Sequence, residues 1–371
     1  MDTESHLLPG STPGVQVTLD VLHFGPRDSG PKAAIQAALH ADEVPALLVL
    51  HCLQQRLAQL EAAGQLIGEV RLVPVANPVG LAQTLLGQHE GRFDLRDGVN
   101  FNRGHPSLAD AVLAQVQGRL GTQAGANVAC IRAALRQAAQ ALPAQTLAEH
   151  LKRRLLMNAI DCDVVLDLHC DAQAVLHLYA STPHAAEAQA LGAWLGAQAV
   201  LLATDSGDGP FDEACSRPWL DLQRRLPGCA IPAACFASTV ELRGQADVHL
   251  AQAEADAQAL IDFLRWRGVV AGTALAPPAA LCQPTPLAGS EPIHAPHAGI
   301  VMFHAEPGDR LQAGAPVASL LCPATGATTR LHTQSAGVLY ARIATRWAAA
   351  GQRLAKVAGS TLARTGKLLS A

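Results

Sequence analysis

The sequence predicts an α/β layered unit followed by a small β-rich one. Strand-like apolar runs alternate with helical patterns between residues 15 and 265, the signature of strands and helices packed in layers. A Pro/Ala-rich stretch then breaks the alternation. Beyond it a short β-like unit occurs twice, as Ala298-Gly-Ile-Val-Met-Phe-His304 and Ala336-Gly-Val-Leu-Tyr-Ala-Arg342, and such a duplication suggests a pseudo-symmetric barrel.

Each element has its own local reason. Val15 to Val21 alternates with period two and reads as a half-buried strand. Ala33 to Leu39 is a second strand, ending at His40. From Pro45, leucines at 47, 50, 53, 57 and 60 follow helical spacing up to Gly64. Glu69 to Val75 is the next strand, closed by Asn77-Pro78. Residues 107–157 are rich in Ala, Leu and Gln with few breakers, which predicts a helical insertion. Strands follow at Asp163–Leu168, Val175–Tyr179, Ala199–Leu202 and Cys235–Leu242, with helices from Ala185 and over Asp247–Arg265. The expected division is a catalytic unit over 1–270, a stiff linker over 271–290 containing Ala276-Pro-Pro and Pro284-Thr-Pro286, and a β-rich unit over 291–371. The β-rich unit resembles the barrel of biotinyl and lipoyl carrier domains. Those carry a lysine on the hairpin between their halves, and Cys322–Gln334 holds none, so a structural or site-covering role is expected instead of a carrier one.

Composition narrows the function. A net charge of −4 with no Lys/Arg cluster gives no footprint for nucleic acid. The longest uncharged stretch, Gly268–Ser290, is broken by Pro and Gly, so no membrane span is expected. Nine cysteines, without a CxxC pair, and a start of Met1-Asp2-Thr3-Glu4 point to reduced thiols in a cytoplasmic protein. Cys162 and Cys170 flank a ligand-like strand but read as small buried side chains.

Two ligand-like pieces, His40-Ala-Asp-Glu43 and Asp167-Leu-His169, each close a strand-like run. They supply the two imidazoles and one carboxylate of a catalytic zinc site. Asp167, on the same strand face as His169, would orient a ligand instead of being one. A lone HxxE is weak among 15 histidines, and a second copy, His184-Ala-Ala-Glu187, opens a helical pattern and reads as structural. Glu241 ends a buried strand; it is either a general base or the partner of Arg243. Asn102-Arg103 suits capture of a substrate carboxylate. Arg92 and Arg96 are both candidates for polarising a scissile carbonyl, with Gly91-Arg92-Phe93 the more constrained setting.

HxxE, Asn-Phe-Asn-Arg, Asp-Leu-His and Thr-Val-Glu, in that order, resemble the succinylglutamate desuccinylase/aspartoacylase family of zinc-carboxypeptidase-like metallohydrolases. The resemblance implies a mixed-sheet α/β/α fold, with one Zn2+ per chain on His40, Glu43 and His169. It also implies that Asn102 and Arg103 hold the carboxylate of an N-acyl amino acid, and that Glu241 is the general base and acid. The implied reaction is hydrolysis of a linear amide in a small-molecule substrate; a homo-oligomer is possible. Rival expectations are a metallocarboxypeptidase acting on short peptides and a catalytically silent metabolite binder. The chain departs from the family where Phe-Pro-Gly becomes Gly104-His105-Pro106, and in the insertion after Ser107.

Overall fold

A computed structural model describes residues 1–10, 12–273, 275–361 and 363–369. Its centre is a nine-stranded mixed sheet. In chain order the strands are β1 (Asp2–Leu7), β2 (Thr18–Phe24), β3 (Lys32–Ala37), β4 (Glu69–Val73), β5 (Val164–Asp171), β6 (His177–Ala180), β7 (Ala199–Leu202), β8 (Phe236–Gly244) and β9 (Thr285–Pro286). The spatial order is β1-β2-β4-β3-β5-β8-β6-β7-β9. Strands β4, β3, β5 and β8 run parallel, while β1 and β2 are antiparallel additions at one edge and β6 is antiparallel to β8.

Period two along the strands sorts the side chains into two layers. On β5, Val164, Leu166 and Leu168 face a core made with helices α1 (Pro45–Ala62), α5 (Ala185–Leu195) and α7 (Leu250–Trp266). Leu50, Leu53 and Leu57 of α1 are fully buried there, each contributing about 1.5–3 kcal/mol of burial free energy. Val165 and, on β8, Ala237 face the opposite layer, built from α2 (Ala109–Val116), α3 (Ala124–Gln140), α4 (Leu147–Ala159) and α6 (Phe211–Arg225). The fold is therefore the expected α/β/α arrangement. Asp167, His169, Thr239 and Glu241 share the parity of Val165 and Ala237, so the polar side chains gather on one face at the carboxyl ends of β5 and β8, where open α/β sheets place their ligands.

The 107–157 stretch forms three helices. Helix α4 starts with a full capping box, Thr146 accepting from the Glu149 amide and Glu149 from the Thr146 amide. The first long strand begins at Thr18, not Val15, because its buried alternation starts at Leu19. Strand β1 has no sequence signature, being polar and largely exposed. Helix α6 was also not foreseen, since Pro218 lies inside it.

C-terminal to β9 lie two antiparallel sheets. One has the order Ser290–His294, Arg353–Ala358, Gly337–Arg342, Arg310–Leu311; the other Thr328–His332, Pro316–Leu321, Gly299–Phe303, Trp347–Ala348. The two copies of the repeated unit sit in different sheets, and Val317, Leu339 and Val357 form one of the small cores between them. Gln173–Ala174, just past β5, pairs with Ala341–Arg342 and ties this unit to the large sheet, whose last strand β9 runs parallel to β7 immediately before it. Lys356 forms an ion pair with Asp171 across the same junction.

Candidate metal centre

Ala38, just past β3, holds a φ of 60°, a conformation that is uncommon for a residue with a Cβ and is tolerated where the fold over-determines it. It turns the chain so that His40 and Glu43 face the sheet end. The loop carrying Arg92 then closes on them. The Ala41 amide donates to Gly91 O at 3.1 Å, and a Cβ at Gly91 would lie 2.2 Å from Asp42 N, so only glycine permits this approach.

His40, Glu43 and His169 present one ligand atom each within 4.8 Å of one another, all buried. His40 Nδ1 lies 3.0 Å from Glu43 Oε1 and His169 Nδ1 lies 2.7 Å from Glu43 Oε2. The outer ring nitrogens are occupied. His40 Nε2 is 2.9 Å from Asn100 Oδ1, which also accepts from the Asn102 amide at 2.9 Å. His169 Nε2 is 2.8 Å from Asp167 Oδ2, and Gln36 donates to Asp167 Oδ1 at 3.0 Å. Asn100 Oδ1 and Asp167 Oδ2 are acceptors, so each imidazole can donate from Nε2 and offer Nδ1 to a metal, while Asn102 Nδ2 also approaches His169 Nε2 at 3.2 Å. Two imidazole nitrogens and a carboxylate are the donor set of catalytic zinc with an open coordination position; the residues fit the metal.

Burial, reinforced by Arg92, pulls His40 down to about 4, keeping it neutral as a ligand must be. Burial alone would lower His169, but Asp167 and Glu43 on either side raise it well above the usual range. Burial likewise opposes ionisation of Glu43, yet His169 and His40 hold it well below the usual carboxylate range. The carboxylates that draw a proton to His169 also attract a divalent cation.

Glu241 lies beside this group, in register with His169 on β5 and His177 on β6. Its Oε2 is buried with no hydrogen-bond partner, and burial together with Glu43 pushes its carboxyl up to about 8. The alternative Glu241–Arg243 pairing does not form. Arg243, at φ 65°, makes a two-point ion pair with Asp256, both contacts 2.8 Å.

Arg92 reaches in, its Nη1 3.0 Å from His40 Nδ1 and 3.2 Å from Glu43 Oε1. Arg96 instead grips Asp94 with two contacts of 2.9 and 2.5 Å, so of these two arginines Arg92 is the one that lines the cavity. Asn102 is buried: its Oδ1 accepts from the Phe211 amide at 2.8 Å, and its Nδ2 is 3.5 Å from Asp167 Oδ2. Arg103 also lines the cavity and donates to Asn102 O at 2.7 Å. Lys152 of α4 fastens this loop, donating to Asn100 O at 2.9 Å and Arg103 O at 2.7 Å. Neither Asn100 nor Lys152 was singled out from the sequence. Asn100 could have been, because an asparagine opening such a run is suited to a turn in which its side chain accepts from the amide two residues on, as it does here from Asn102.

Other sequence expectations resolve plainly. His184 and Glu187 sit 3.4 Å apart, away from the cavity, with Glu187 also 3.5 Å from Arg267; among the described residues only the His40 group has metal-ligand geometry. Burial pushes the Cys162 thiol up to about 12 and raises Cys170 further, as for inert core thiols. His105, in the Gly104-His105-Pro106 run that departs from the family pattern, is buried with both ring nitrogens unpartnered and packs edge-on to Phe211 at 5.5 Å. Burial pulls it down to about 3, so it serves as a neutral aromatic plate.

The cavity measures about 480 Å³, a size for a small ligand. Tyr340, Lys356 and Arg364 from the C-terminal unit form part of its wall. No helix is long and apolar enough to cross a membrane among the described residues.

The family model for the succinylglutamate desuccinylase/aspartoacylase catalytic domain matches residues 29–267. A crystal structure of a succinylglutamate desuccinylase/aspartoacylase family protein from Shewanella amazonensis aligns with a TM-score of 0.84 at 29% identity, covering 96% of this chain and 98% of that one. A second, from Shewanella frigidimarina, gives 0.84 at 26% identity and 97% of each chain. An ectoine utilization protein from Ruegeria pomeroyi, solved with product bound, shares the fold at 18% identity, with a TM-score of 0.64 over 97% of this chain and 95% of that one. No curated protein matches the chain. With the matched region spanning most of the sequence, the chain belongs to the succinylglutamate desuccinylase/aspartoacylase family.

Proposed function

We propose that the protein is a zinc-dependent deacylase that hydrolyses the amide bond of an N-acyl amino acid. The observation that carries this is the placement of an unpartnered carboxylate, Glu241 Oε2, beside the His40–Glu43–His169 group in a cavity of small-molecule size. His40, Glu43 and His169 would hold one Zn2+. When bound, the metal supplies Lewis acidity and brings the pKa of water to about 7. Glu241 accepts a proton from the attacking water and delivers it to the departing nitrogen, leaving a carboxylic acid and a free amine. Arg92 donates to the carbonyl oxygen as negative charge builds on it, a contribution worth on the order of 3 kcal/mol per donor. Arg103 anchors the substrate carboxylate, with Asn102 and Lys152 holding the loop that aims it.

A peptide-cleaving carboxypeptidase uses the same groups, but the wall of C-terminal residues around the cavity favours a short substrate. The test is metal analysis of the purified protein with an amine-release screen of N-acyl amino acids against short peptides. Stoichiometric zinc with release from acyl amino acids alone is the expected outcome; release from peptides alone would overturn the deacylase reading.

A further inference from the structure

Helix α6 brings a second polar group to the cavity wall. Asp212 and Glu213, in its first turn, are 5% and 9% exposed. First-turn acids are ordinarily solvated and complement the helix end; these two are buried. Asp212 Oδ1 and Glu213 Oε2 have no hydrogen-bond partner, and neither does the Oγ of Ser206, a residue only 1% exposed. Glu213 Oε1 accepts from the Ser206 amide at 2.9 Å, which fixes the two side by side. All three residues line the cavity.

Among the described residues no lysine or arginine forms an ion pair with either acid. Arg217, one turn along α6, is turned to Asp205 at 2.8 Å and Asp221 at 3.5 Å. Lys367 lies 3.1 Å from Asp208. Burial and mutual repulsion accordingly push Glu213 up to about 7, and burial with the nearby Asp167 pushes Asp212 to about 6. Buried carboxylates without a cation are costly to keep. Neither acid belongs to a group of three His, Cys, Asp or Glu side chains with metal-ligand geometry, which among the described residues is confined to His40, Glu43 and His169.

The location says what could fill the gap. The Phe211 amide, one residue before Asp212, donates to Asn102 Oδ1, so the acids begin immediately beyond the loop whose Arg103 would hold the amino-acid carboxylate. We propose that this wall receives a cationic group on the side chain of the amino-acid half, so that the preferred substrates are Nα-acyl derivatives of amine-bearing amino acids. An ammonium brings three donors, enough for Asp212 Oδ1, Glu213 Oε2 and Ser206 Oγ. An acidic side chain in the same place would meet like charge. The substrate assignment rests on the deacylase reading, whereas recognition of the amine does not.

The experiment has two arms on the zinc-loaded, full-length protein. Calorimetric titration compares L-ornithine with L-norvaline, which differ by the terminal amine and need no turnover to bind. Steady-state assays compare Nα-acetyl-ornithine, Nα-acetyl-norvaline and N-acetylglutamate. Ornithine is expected to bind at least about tenfold more tightly than norvaline, and its acetyl derivative to lead in kcat/KM by a similar factor. In Glu213→Gln and Asp212→Asn that ratio should collapse toward one. Equal binding of ornithine and norvaline by the unaltered protein overturns the proposal without any variant. Hydrolysis of all three substrates without an amine preference also overturns it and leaves the deacylase reading standing. Tight ornithine binding with no hydrolysis of any acyl amino acid supports the amine site and removes the deacylase reading.

Discussion

Glu241 and His169 are register partners on adjacent parallel strands, β8 and β5. The carboxylate proposed as the base and a metal-type ligand are thereby fixed side by side by backbone hydrogen bonds. Because Arg243 is committed to Asp256, the Glu241 carboxylate has no competing cation on its own strand. Glu241→Gln keeps the shape and removes only the proton-accepting capacity. The expected result is zinc content unchanged by metal analysis and kcat lowered by about 10²–10⁴-fold. Thermal stability should hold or rise slightly, since the substitution relieves an unpaired, partly buried carboxylate. Near-normal turnover in the metal-loaded variant would take the residue out of that role.

Asn100 and Asp167 act through the imidazoles they hold. Removing either acceptor frees a ring to rotate or to move its proton to Nδ1, where it blocks metal binding. Asn100→Ala and Asp167→Ala are each expected to weaken zinc affinity by about 10–100-fold, measured by competition with a chromogenic chelator. Asp167→Ala should be the more damaging, because it also strands Gln36 Nε2, which now donates to the carboxylate.

The difference between what was legible and what was not follows from the range of the interactions. His40, Glu43, His169 and Glu241 could be placed from sequence because each follows a short apolar run, and a strand end fixes direction as well as position. The α/β order was legible for the same reason: β3, α1 and β4 have unmixed periodicities. Strand β1 and helix α6 were not, as one is stabilised by its antiparallel neighbour and the other tolerates Pro218 within a packed layer. Lys152 and the acids of α6 carry no local pattern. Their meaning comes from contacts between distant segments, such as Lys152 with the Asn100 carbonyl 52 residues away.

Lys152 ties the helical insertion to the Asn100–Arg103 loop. Burial pulls it down to about 8, so at neutral pH it remains charged and donates to two carbonyls. Lys152→Met retains the apolar stem and deletes both bonds, which are worth about 1.5–3 kcal/mol each when the donor is charged, less the relief of its burial. A net loss of about 1–3 kcal/mol in a denaturant titration is expected. The Asn102–Arg103 segment should loosen, so KM for an N-acyl amino acid should rise about tenfold with a smaller change in kcat. An unchanged KM would mean that the loop is held in place by its other contacts alone.

Acid sensitivity should originate at the opposite end of the sheet, where Glu69 is buried against Arg71 at 2.9 and 3.1 Å and His23 at 3.1 Å. Burial works against its charge, yet His23 and Arg71 hold the carboxyl far below its usual range. Asp161, also buried, is lowered in the same way by Arg71 and Lys32 against the opposing effect of burial. A folded-state pKa below the unfolded value of about 4.3 means that the unfolded chain binds the proton first. The stabilisation is thus complete above that value and is lost progressively as pH falls beneath it. Glu69→Gln should cost about 3 kcal/mol at pH 7 by leaving Arg71 partly unpaired. The gap between the two proteins in thermal melts should narrow steadily from pH 5 to pH 3, because the variant has no carboxylate to protonate. A gap that stays constant over that range would show that the Glu69 charge contributes nothing to the fold.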